Sequence, residues 1–310
     1  MTTPEMRGVL PVLQMPFDDN DQADVAVLRD EIDWLFDHGV DGVVTGMVSE
    51  VLRMTADERD DLTPVICKAA AGRGAVVISV GAEATSAAVR HARVAADAGA
   101  TGLMVAPPML TRLDRTGLTG YFTAVAEAVS IPIVVQDASG YVGAALPIDV
   151  QAQLFRDLGD RVMFKPEAPP IGPLLSQLLA ATGGKARIFE GTGGLHLIDS
   201  FRRGAVGTMP GSDVAWALVD LWAALQRSDH ARAYRIAGPL ALLIALQTSL
   251  DSYVFVEKTL LVAQGVFRSS RMRGPAGHAA DQHTVDEAIR LMALLRDEVE
   301  QPIVVDDTRD

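Results

Sequence analysis

Short apolar runs alternate along the chain with segments that have helical spacing. Each run is only a few residues long, is rich in Val and Ile, and is mostly apolar at both odd and even positions. Such runs are typical of parallel strands that helices cover on both faces. They predict eight strands, beginning near Val9, Gly42, Ala75, Gly102, Pro132, Arg161, Arg187 and Ala205.

The segments between the runs carry the signals of amphipathic helices. Residues 23–39 place apolar side chains on one stripe. Thr55 precedes Ala-Asp-Glu, which is typical of a helix N-cap followed by acidic residues in the first turn. Gly39, Gly99 and Gly204 stand where a helix is expected to end before the next strand.

Eight strand–helix pairs in about 225 residues match the (β/α)₈ TIM barrel. We therefore predict an α/β fold, with a TIM barrel over about residues 1–227 and a C-terminal helical extension over about residues 228–300. No linker rich in Pro, Gly or Ser separates the two parts, so residues 1–310 are expected to form a single domain. An open doubly wound sheet is the alternative, which the lack of an early G-x-G-x-x-G motif disfavours. The late helices are predicted over residues 213–228, 230–248, 251–266 and 283–298.

Composition and charge exclude several classes of protein. Of the 310 residues, 49% are hydrophobic, too many for a disordered chain, and the net charge of −13 disfavours nucleic acid or membrane partners. The single cysteine, Cys67, excludes a disulfide framework, and no histidine pair has metal-ligand spacing, so no metal is expected. The N-terminus lacks a signal-peptide pattern, and the apolar segment 237–246 is too short to span a bilayer and is predicted to be a buried helix. A cytoplasmic location is expected.

Lys165 is the strongest candidate for chemistry. It ends an apolar run, Arg-Val-Met-Phe-Lys-Pro-Glu, and strand alternation puts Lys165 and Glu167 on the same face, toward the barrel mouth. Burial disfavours the ammonium form of a lysine, and the neutral amine is the nucleophile that forms a Schiff base with a carbonyl. A carboxylate two residues on can move protons at carbons next to that imine. The alternative is a buried Lys–Glu ion pair that only fills the barrel.

The other three lysines are weaker candidates. Lys68 is expected to be exposed on a helix, and Lys185 precedes the seventh strand, at the wrong end of the barrel. Lys258 lies in a late helix next to Glu257, and we expect it on an ordinary solvated face.

Several motifs together resemble the dihydrodipicolinate synthase / N-acetylneuraminate lyase superfamily of class I Schiff-base lyases. They are VLQMPFDDNDQAD near the N-terminus, GVDGVVTGMVSEVLRMTADER, RVMFKPE, and RIFEGTGGLHLIDSFRRGAVGTMPG. The resemblance covers nearly the whole chain and assigns the Schiff-base lysine to Lys165. It implies a small 2-keto acid substrate, no cofactor beyond the covalent Schiff base, and a homo-oligomer built as a dimer of dimers.

The chain departs from the family pattern at the residues that usually handle substrate. Met47 and Val48 replace two threonines, although their backbone amides can still hold a carboxylate and Ser49 can add a hydroxyl. Gln136 replaces the family's tyrosine on strand five. The second family tyrosine is absent from the segment APPML, and Tyr141 stands where the synthases carry an arginine. Lysine-pathway synthase activity is therefore not expected.

Within the superfamily, the chain resembles the L-2-keto-3-deoxyarabonate dehydratase branch in three features. It lacks these tyrosines, it has Gln-Asp-Ala after strand five, and it has Lys-x-Glu on strand six. In that branch a glutamate two residues after the lysine carries out the acid–base work, which points to Glu167. The leading hypothesis is a hydro-lyase that dehydrates a 2-keto-3-deoxy sugar acid, in carbohydrate catabolism. The alternatives are a pyruvate-releasing aldolase, with Tyr141 or a water replacing the lost phenol, and a non-catalytic keto-acid-binding homologue.

The remaining candidates lie near other strand ends. The expected substrate-binding residues are Met47, Val48, Ser49, Gln136, Tyr141, Gly191, Gly193 and Met209. The turn Gly191-Thr-Gly-Gly194 could bind a polar group or simply serve a tight turn. We expect Asp137 to cap a turn, Glu50 to hold its loop in place, and Glu83 to lie on a polar rim.

Overall fold

The computed structural model describes residues 5–278 and 281–301. Within these ranges eight parallel strands follow one another with helices between them. Each strand overlaps one of the apolar runs that predicted it, although the first and last strands are shorter than their runs. The strands are β1 (Gly8–Val9), β2 (Gly42–Val44), β3 (Ala75–Ser79), β4 (Gly102–Val105), β5 (Ile133–Asp137), β6 (Val162–Pro166), β7 (Arg187–Glu190) and β8 (Gly207–Thr208).

Seven helices connect consecutive strands, and four more follow β8. The connecting helices are α1 (Val25–Asp37), α2 (Ala56–Ala69), α3 (Thr85–Asp97), α4 (Arg115–Glu127), α5 (Ile148–Leu158), α6 (Ile171–Ala181) and α7 (Leu197–Arg202). The later helices are α8 (Ala215–Gln226), α9 (His230–Ala245), α10 (Leu250–Ala263) and α11 (Gln282–Glu300). Thr55 caps α2 as predicted, because its side chain accepts a hydrogen bond from the Glu58 amide.

Strand pairing closes the sheet into a barrel. Neighbouring strands pair in chain order from β2 to β8, and β8 pairs with β1. The remaining gap, between β1 and β2, is bridged by the segment after β1. There the Leu13 amide donates to the Val44 carbonyl at 2.8 Å, and the Val44 amide donates to the Pro11 carbonyl at 2.9 Å. The TIM barrel is therefore confirmed, and the open-sheet alternative is wrong.

The alternation of side chains separates two apolar layers. On β6, Met163 packs inside the barrel, while Val162 and Phe164 pack against the surrounding helices. Inside the barrel Met163 belongs to one apolar cluster with residues on or next to the other strands, including Val77, Met104, Val134, Phe189 and Met209. This inner layer fills the barrel below its mouth, so polar side chains further along the same strands are directed to the mouth.

The C-terminal helices form a second apolar cluster that is joined to the barrel. Residues of α8 to α11 pack together, and the cluster includes Val9 of β1. The apolar segment 237–246 lies mostly in α9 and is buried on one face only, because Leu240 and Leu243 are buried while Leu242 is 58% exposed. Among the described residues no helix is both long and apolar enough to cross a membrane.

Candidate active site

The carboxyl ends of the strands surround a cavity at the mouth of the barrel. Its empty volume is about 540 Å³, including the open space at its entrance. Nine of the ten residues predicted for the site line it: Met47, Val48, Gln136, Tyr141, Lys165, Glu167, Gly191, Gly193 and Met209. The strand ends are therefore brought together as the barrel requires.

Lys165, Glu167 and Gln136 form a buried hydrogen-bonded group at the base of this cavity. The Lys165 Nζ atom lies 2.6 Å from Glu167 Oε1, and the Gln136 Nε2 atom donates to Glu167 Oε2 at 2.7 Å. Gln136 faces Lys165 across the β5–β6 register, so the two strands fix the amide beside the ion pair. All three side chains are at most 6% exposed.

The carboxyl group of Glu167 is placed where it can exchange a proton. Burial raises its pKa above the ordinary value, and the nearby Glu190 carboxylate adds to that effect. Lys165 and Gln136 oppose the rise because both donate hydrogen bonds that favour the carboxylate. Burial and the two hydrogen bonds thus act in opposite directions on the pKa of Glu167. A carboxyl group with its pKa adjusted in this way is suited to acid–base catalysis next to a lysine.

The loop after β2 offers backbone amides to the cavity. Met47 and Val48 begin a short 3₁₀ turn, and the described residues contain no hydrogen-bond acceptor for either amide. The Ser49 hydroxyl takes a different role from the one expected. It donates to the Leu13 carbonyl and accepts from the Gly46 amide at 3.0 Å, so it holds the loop against the segment after β1 and does not line the cavity.

Glu50 fixes the far end of the same loop. It adopts a left-handed backbone conformation with φ of 56°, and its buried carboxylate accepts hydrogen bonds from Lys258 Nζ and from the Arg273 amide at 2.9 Å. Lys258 is fully buried, and its Nζ atom also lies 4.8 Å from the centre of the Phe17 ring. The prediction that Lys258 lies on a solvated face is therefore wrong, because α10 turns this side chain toward the barrel.

The turn after β7 is organised by a carboxylate and leaves room for the lysine. Glu190 accepts hydrogen bonds from the Thr192 amide at 2.7 Å, the Gly194 amide at 3.1 Å and the Thr208 hydroxyl at 2.7 Å. These amides are therefore already bonded and do not form an anion site. A Cβ atom at Gly191 would lie 2.7 Å from Glu167 Cγ and 2.9 Å from Lys165 Cγ.

Two tyrosines face each other at the cavity rim. Tyr141, in the loop after β5, and Tyr253, on α10, have ring centres 5.5 Å apart in an edge-to-face arrangement. Burial raises the pKa of both phenols, that of Tyr253 to about 12, so both keep their protons at neutral pH. The site therefore contains two phenols even though Gln136 occupies the strand position.

Two carboxylates at other strand ends accept hydrogen bonds from backbone amides of the loops. Asp137 accepts hydrogen bonds from the Ser139 amide at 3.1 Å and the Leu146 amide at 3.0 Å. Glu83 accepts from the Met109 amide at 2.6 Å. Both roles agree with what the sequence predicted for them.

α10 contributes residues to the cavity that the strand ends did not predict. Leu250, Tyr253 and Glu257 all line it, and their spacing of three and four residues places them on one face of the helix. The sequence signal for them is this spacing. Other lining residues that were not predicted are Val12, Gly46, Met104, Pro210 and Gly211.

The chain is similar to known proteins along most of its length. Residues 5–293 match the model of the dihydrodipicolinate synthetase family. The L-2-keto-3-deoxyarabonate dehydratase of Azospirillum brasilense is 29% identical over 282 residues, which cover 88% of this chain and 90% of that protein. The 4-hydroxy-tetrahydrodipicolinate synthase of Corynebacterium aurimucosum is 31% identical over 257 residues, covering 81% of this chain and 82% of that protein.

Solved structures show the same fold. The dihydrodipicolinate synthase of Rhodopseudomonas palustris superposes with a TM-score of 0.85 at 27% identity, over 94% of this chain and 99% of that one. A putative dihydrodipicolinate synthetase from Pseudomonas aeruginosa gives a TM-score of 0.86 at 22% identity, over 95% of this chain and 100% of that one.

Proposed function

The chain belongs to the dihydrodipicolinate synthetase family and is a lyase, and from this premise we propose that it is a Schiff-base hydro-lyase that dehydrates a 2-keto-3-deoxy sugar acid. One observation carries the proposal. The Lys165 amine on β6 and the Glu167 carboxyl directly after this strand lie 2.6 Å apart, buried at the base of the cavity. A nucleophile and an acid–base group are thus in direct contact.

The proposed reaction begins at the ketone. The substrate carboxylate binds the free amides of Met47 and Val48, which directs its C2 carbonyl toward Lys165. Lys165 first releases its ammonium proton to the water in the cavity, so Glu167 stays a carboxylate. The neutral amine adds to C2, and the adduct loses the former carbonyl oxygen as water, which gives an iminium. The positive nitrogen acidifies the protons on C3.

Glu167 then carries out both proton transfers of the dehydration. Its carboxylate removes a proton from C3, and the resulting electron pair expels the C4 hydroxyl group. The same carboxyl group returns its proton to that hydroxyl, which leaves as water. Gln136 holds the other oxygen of Glu167 and so keeps the carboxyl directed at the reacting carbons. Hydrolysis of the imine releases the product.

Dehydration is favoured over carbon–carbon cleavage by the residue at the end of β5. Aldol cleavage needs a base at the C4 hydroxyl, and the neutral amide of Gln136 cannot accept a proton at that position. The rim phenols of Tyr141 and Tyr253 support the second candidate, a pyruvate-releasing aldolase, because either phenol could act on a C4 hydroxyl.

Product analysis separates the two reactions. The purified protein is incubated with 2-keto-3-deoxy pentonates and hexonates, and the products are measured by mass spectrometry and by a lactate dehydrogenase assay for pyruvate. We expect a product lighter by one water and no pyruvate. Pyruvate formed in equal amount to the substrate consumed would show an aldolase instead.

A further inference from the structure

Glu257 is a carboxyl group in the cavity that the reaction described above does not use. It lies on the cavity face of α10, one turn beyond Tyr253, and is 3% exposed. It approaches the site from the side of β1 and β8, whereas Gln136 lies on β5 and Glu167 directly follows β6. Two carboxyl groups therefore flank the cavity on opposite sides.

The position of the Glu257 carboxyl is fixed by its neighbours. The Gln14 Nε2 atom, just beyond β1, donates a hydrogen bond to Glu257 Oε2. Gly211, just beyond β8, leaves the space that the carboxyl fills, since any Cβ atom there would overlap it. A buried and well-held carboxyl group keeps its direction during a reaction.

The surroundings of Glu257 are rich in acids and poor in cations. Asp213 and Glu31 face it from the segment after β8 and from α1, and Lys165 is the cation that acts on it. Lys165 is paired with Glu167, and the neighbouring Lys258 is paired with Glu50. Within the described residues Glu257 itself forms no ion pair. Three buried carboxyl groups without a dedicated cation cannot all be ionised near neutral pH.

The cluster formed by Glu257, Asp213 and Glu31 therefore retains protons. Burial, together with Asp213 and Glu31, raises the pKa of Glu257 well above its ordinary value. Burial also raises the pKa of Glu31 to about 8 and that of Asp213 to about 7. A raised pKa means that the proton stays on the group to higher pH, and Glu257 is the one of these three acids that lines the cavity.

Imine formation requires such an acid. When the Lys165 amine adds to C2, the carbonyl oxygen becomes a hydroxyl, and that hydroxyl leaves only as water after it receives a proton. We propose that Glu257 donates this proton, an inference that rests on the proposed Schiff base at Lys165. The C2–O bond breaks, the nitrogen lone pair forms the C2=N bond, and the Glu257 carboxylate that remains is balanced by the iminium charge. In the final hydrolysis the carboxylate takes a proton from the attacking water and is restored.

The test measures imine formation apart from dehydration. Wild type and E257Q are mixed with saturating pyruvate, quenched with borohydride at successive times, and analysed by intact mass. Glutamine keeps the size and can hydrogen-bond Gln14, but it cannot donate a proton to a leaving hydroxyl. We expect E257Q to form the imine roughly 10²–10⁴-fold more slowly while reaching a similar final labelled fraction.

Two further variants distinguish an acid from a packing residue. Glu257→Asp retains a carboxyl group and is expected to recover part of the rate that E257Q loses. Asp213→Asn removes one of the acids that keep Glu257 protonated, so the rate of imine formation is expected to fall at a lower pH than in wild type as the pH increases. Circular dichroism spectra confirm that each variant is folded.

The outcomes separate this inference from the proposed function. Wild-type labelling rates in E257Q would overturn the role of Glu257 and leave the hydro-lyase proposal intact. A folded E257Q that never becomes labelled would also overturn it, because that result indicates lost binding. Absence of label in the wild-type protein would overturn the Schiff base itself, and with it both proposals.

Discussion

At the scale of single residues, the site depends on the close approach of the Lys165 and Glu167 side chains to the backbone of Gly191. Lys165 and Glu167 reach each other above Gly191, and this glycine does not adopt a left-handed backbone conformation. Its role is therefore to leave space, whereas Gly193 and Gly194 of the same turn have φ of 68° and 94° and need glycine for their backbone conformation. The sequence predicted Gly191 as a site residue but left open which of these roles it has.

Alanine at Gly191 is expected to disturb catalysis more than folding. The added methyl group would push against Lys165 and Glu167 and displace them, and a displacement of about 1 Å can reduce the rate roughly 100-fold. Turnover and thermal unfolding measured on Gly191→Ala check this prediction. Gly120→Ala is the control, because nothing lies within 4 Å of the new methyl group there. Equal turnover in the two variants would contradict the prediction.

The hydrogen bond from Gln136 is expected to set the pH dependence of the reaction. The amide favours the carboxylate form of Glu167, so Gln136→Met should raise the pKa of Glu167 further. The base form then needs a higher pH, and the acidic limb of kcat/KM should move up by about one pH unit.

A matched control for this variant is Gln153→Met. It removes a hydrogen bond of the same type, from the amide of Gln153 to Asp157 at 2.7 Å on α5, outside the cavity. Its pH profile should equal that of wild type. An unshifted acidic limb in Gln136→Met would show that Glu167 is not the base.

At the scale of elements, the strand ends were predictable and the placement of α10 was not. Each strand end is assigned by its own apolar run, and the barrel then determines which side chains meet. For α10 the periodicity indicates a helix, but apolar residues occur around much of its circumference, so the pattern does not say which face meets the barrel. Tyr253 and Glu257 were missed, and Lys258 was wrongly placed in solvent, for this one reason.

The Lys258–Glu50 pair is expected to contribute to stability by joining α10 to the loop after β2. Both side chains are fully buried, so Lys258→Met removes the buried cation of Glu50 and leaves it only the partly exposed Arg53, 3.2 Å away. We expect a loss of about 3 kcal/mol in the free energy of unfolding, measured by urea denaturation. Lys68→Met on α2 is the control, since that lysine is exposed, and it should change stability little. Similar values for both variants would contradict a structural role for the buried pair.

At the scale of the whole molecule, the barrel and the late helices share apolar contacts. Trp34 on α1 packs against the cluster between strands and helices and also against the cluster of the C-terminal helices. Val9 of β1 belongs to that second cluster. The prediction of a single domain from the lack of a linker is consistent with these contacts, and unfolding measurements test it.

We expect the barrel and the C-terminal helices to unfold together. Tryptophan fluorescence reports on Trp34, Trp216 and Trp222, which lie on α1 and α8, whereas far-ultraviolet circular dichroism reports on all helices. For one cooperative unit the two urea transitions should coincide. Two separate transitions would indicate that the extension is an independent unit.

The proposed Schiff base between Lys165 and a 2-keto acid can be tested directly by trapping. The protein is treated with borohydride in the presence of pyruvate, digested, and mapped by mass spectrometry. We expect a stable added mass on the peptide that contains Lys165 and on no other lysine, and no label in Lys165→Ala. Label on Lys258 or another lysine, or label that persists in Lys165→Ala, would contradict it.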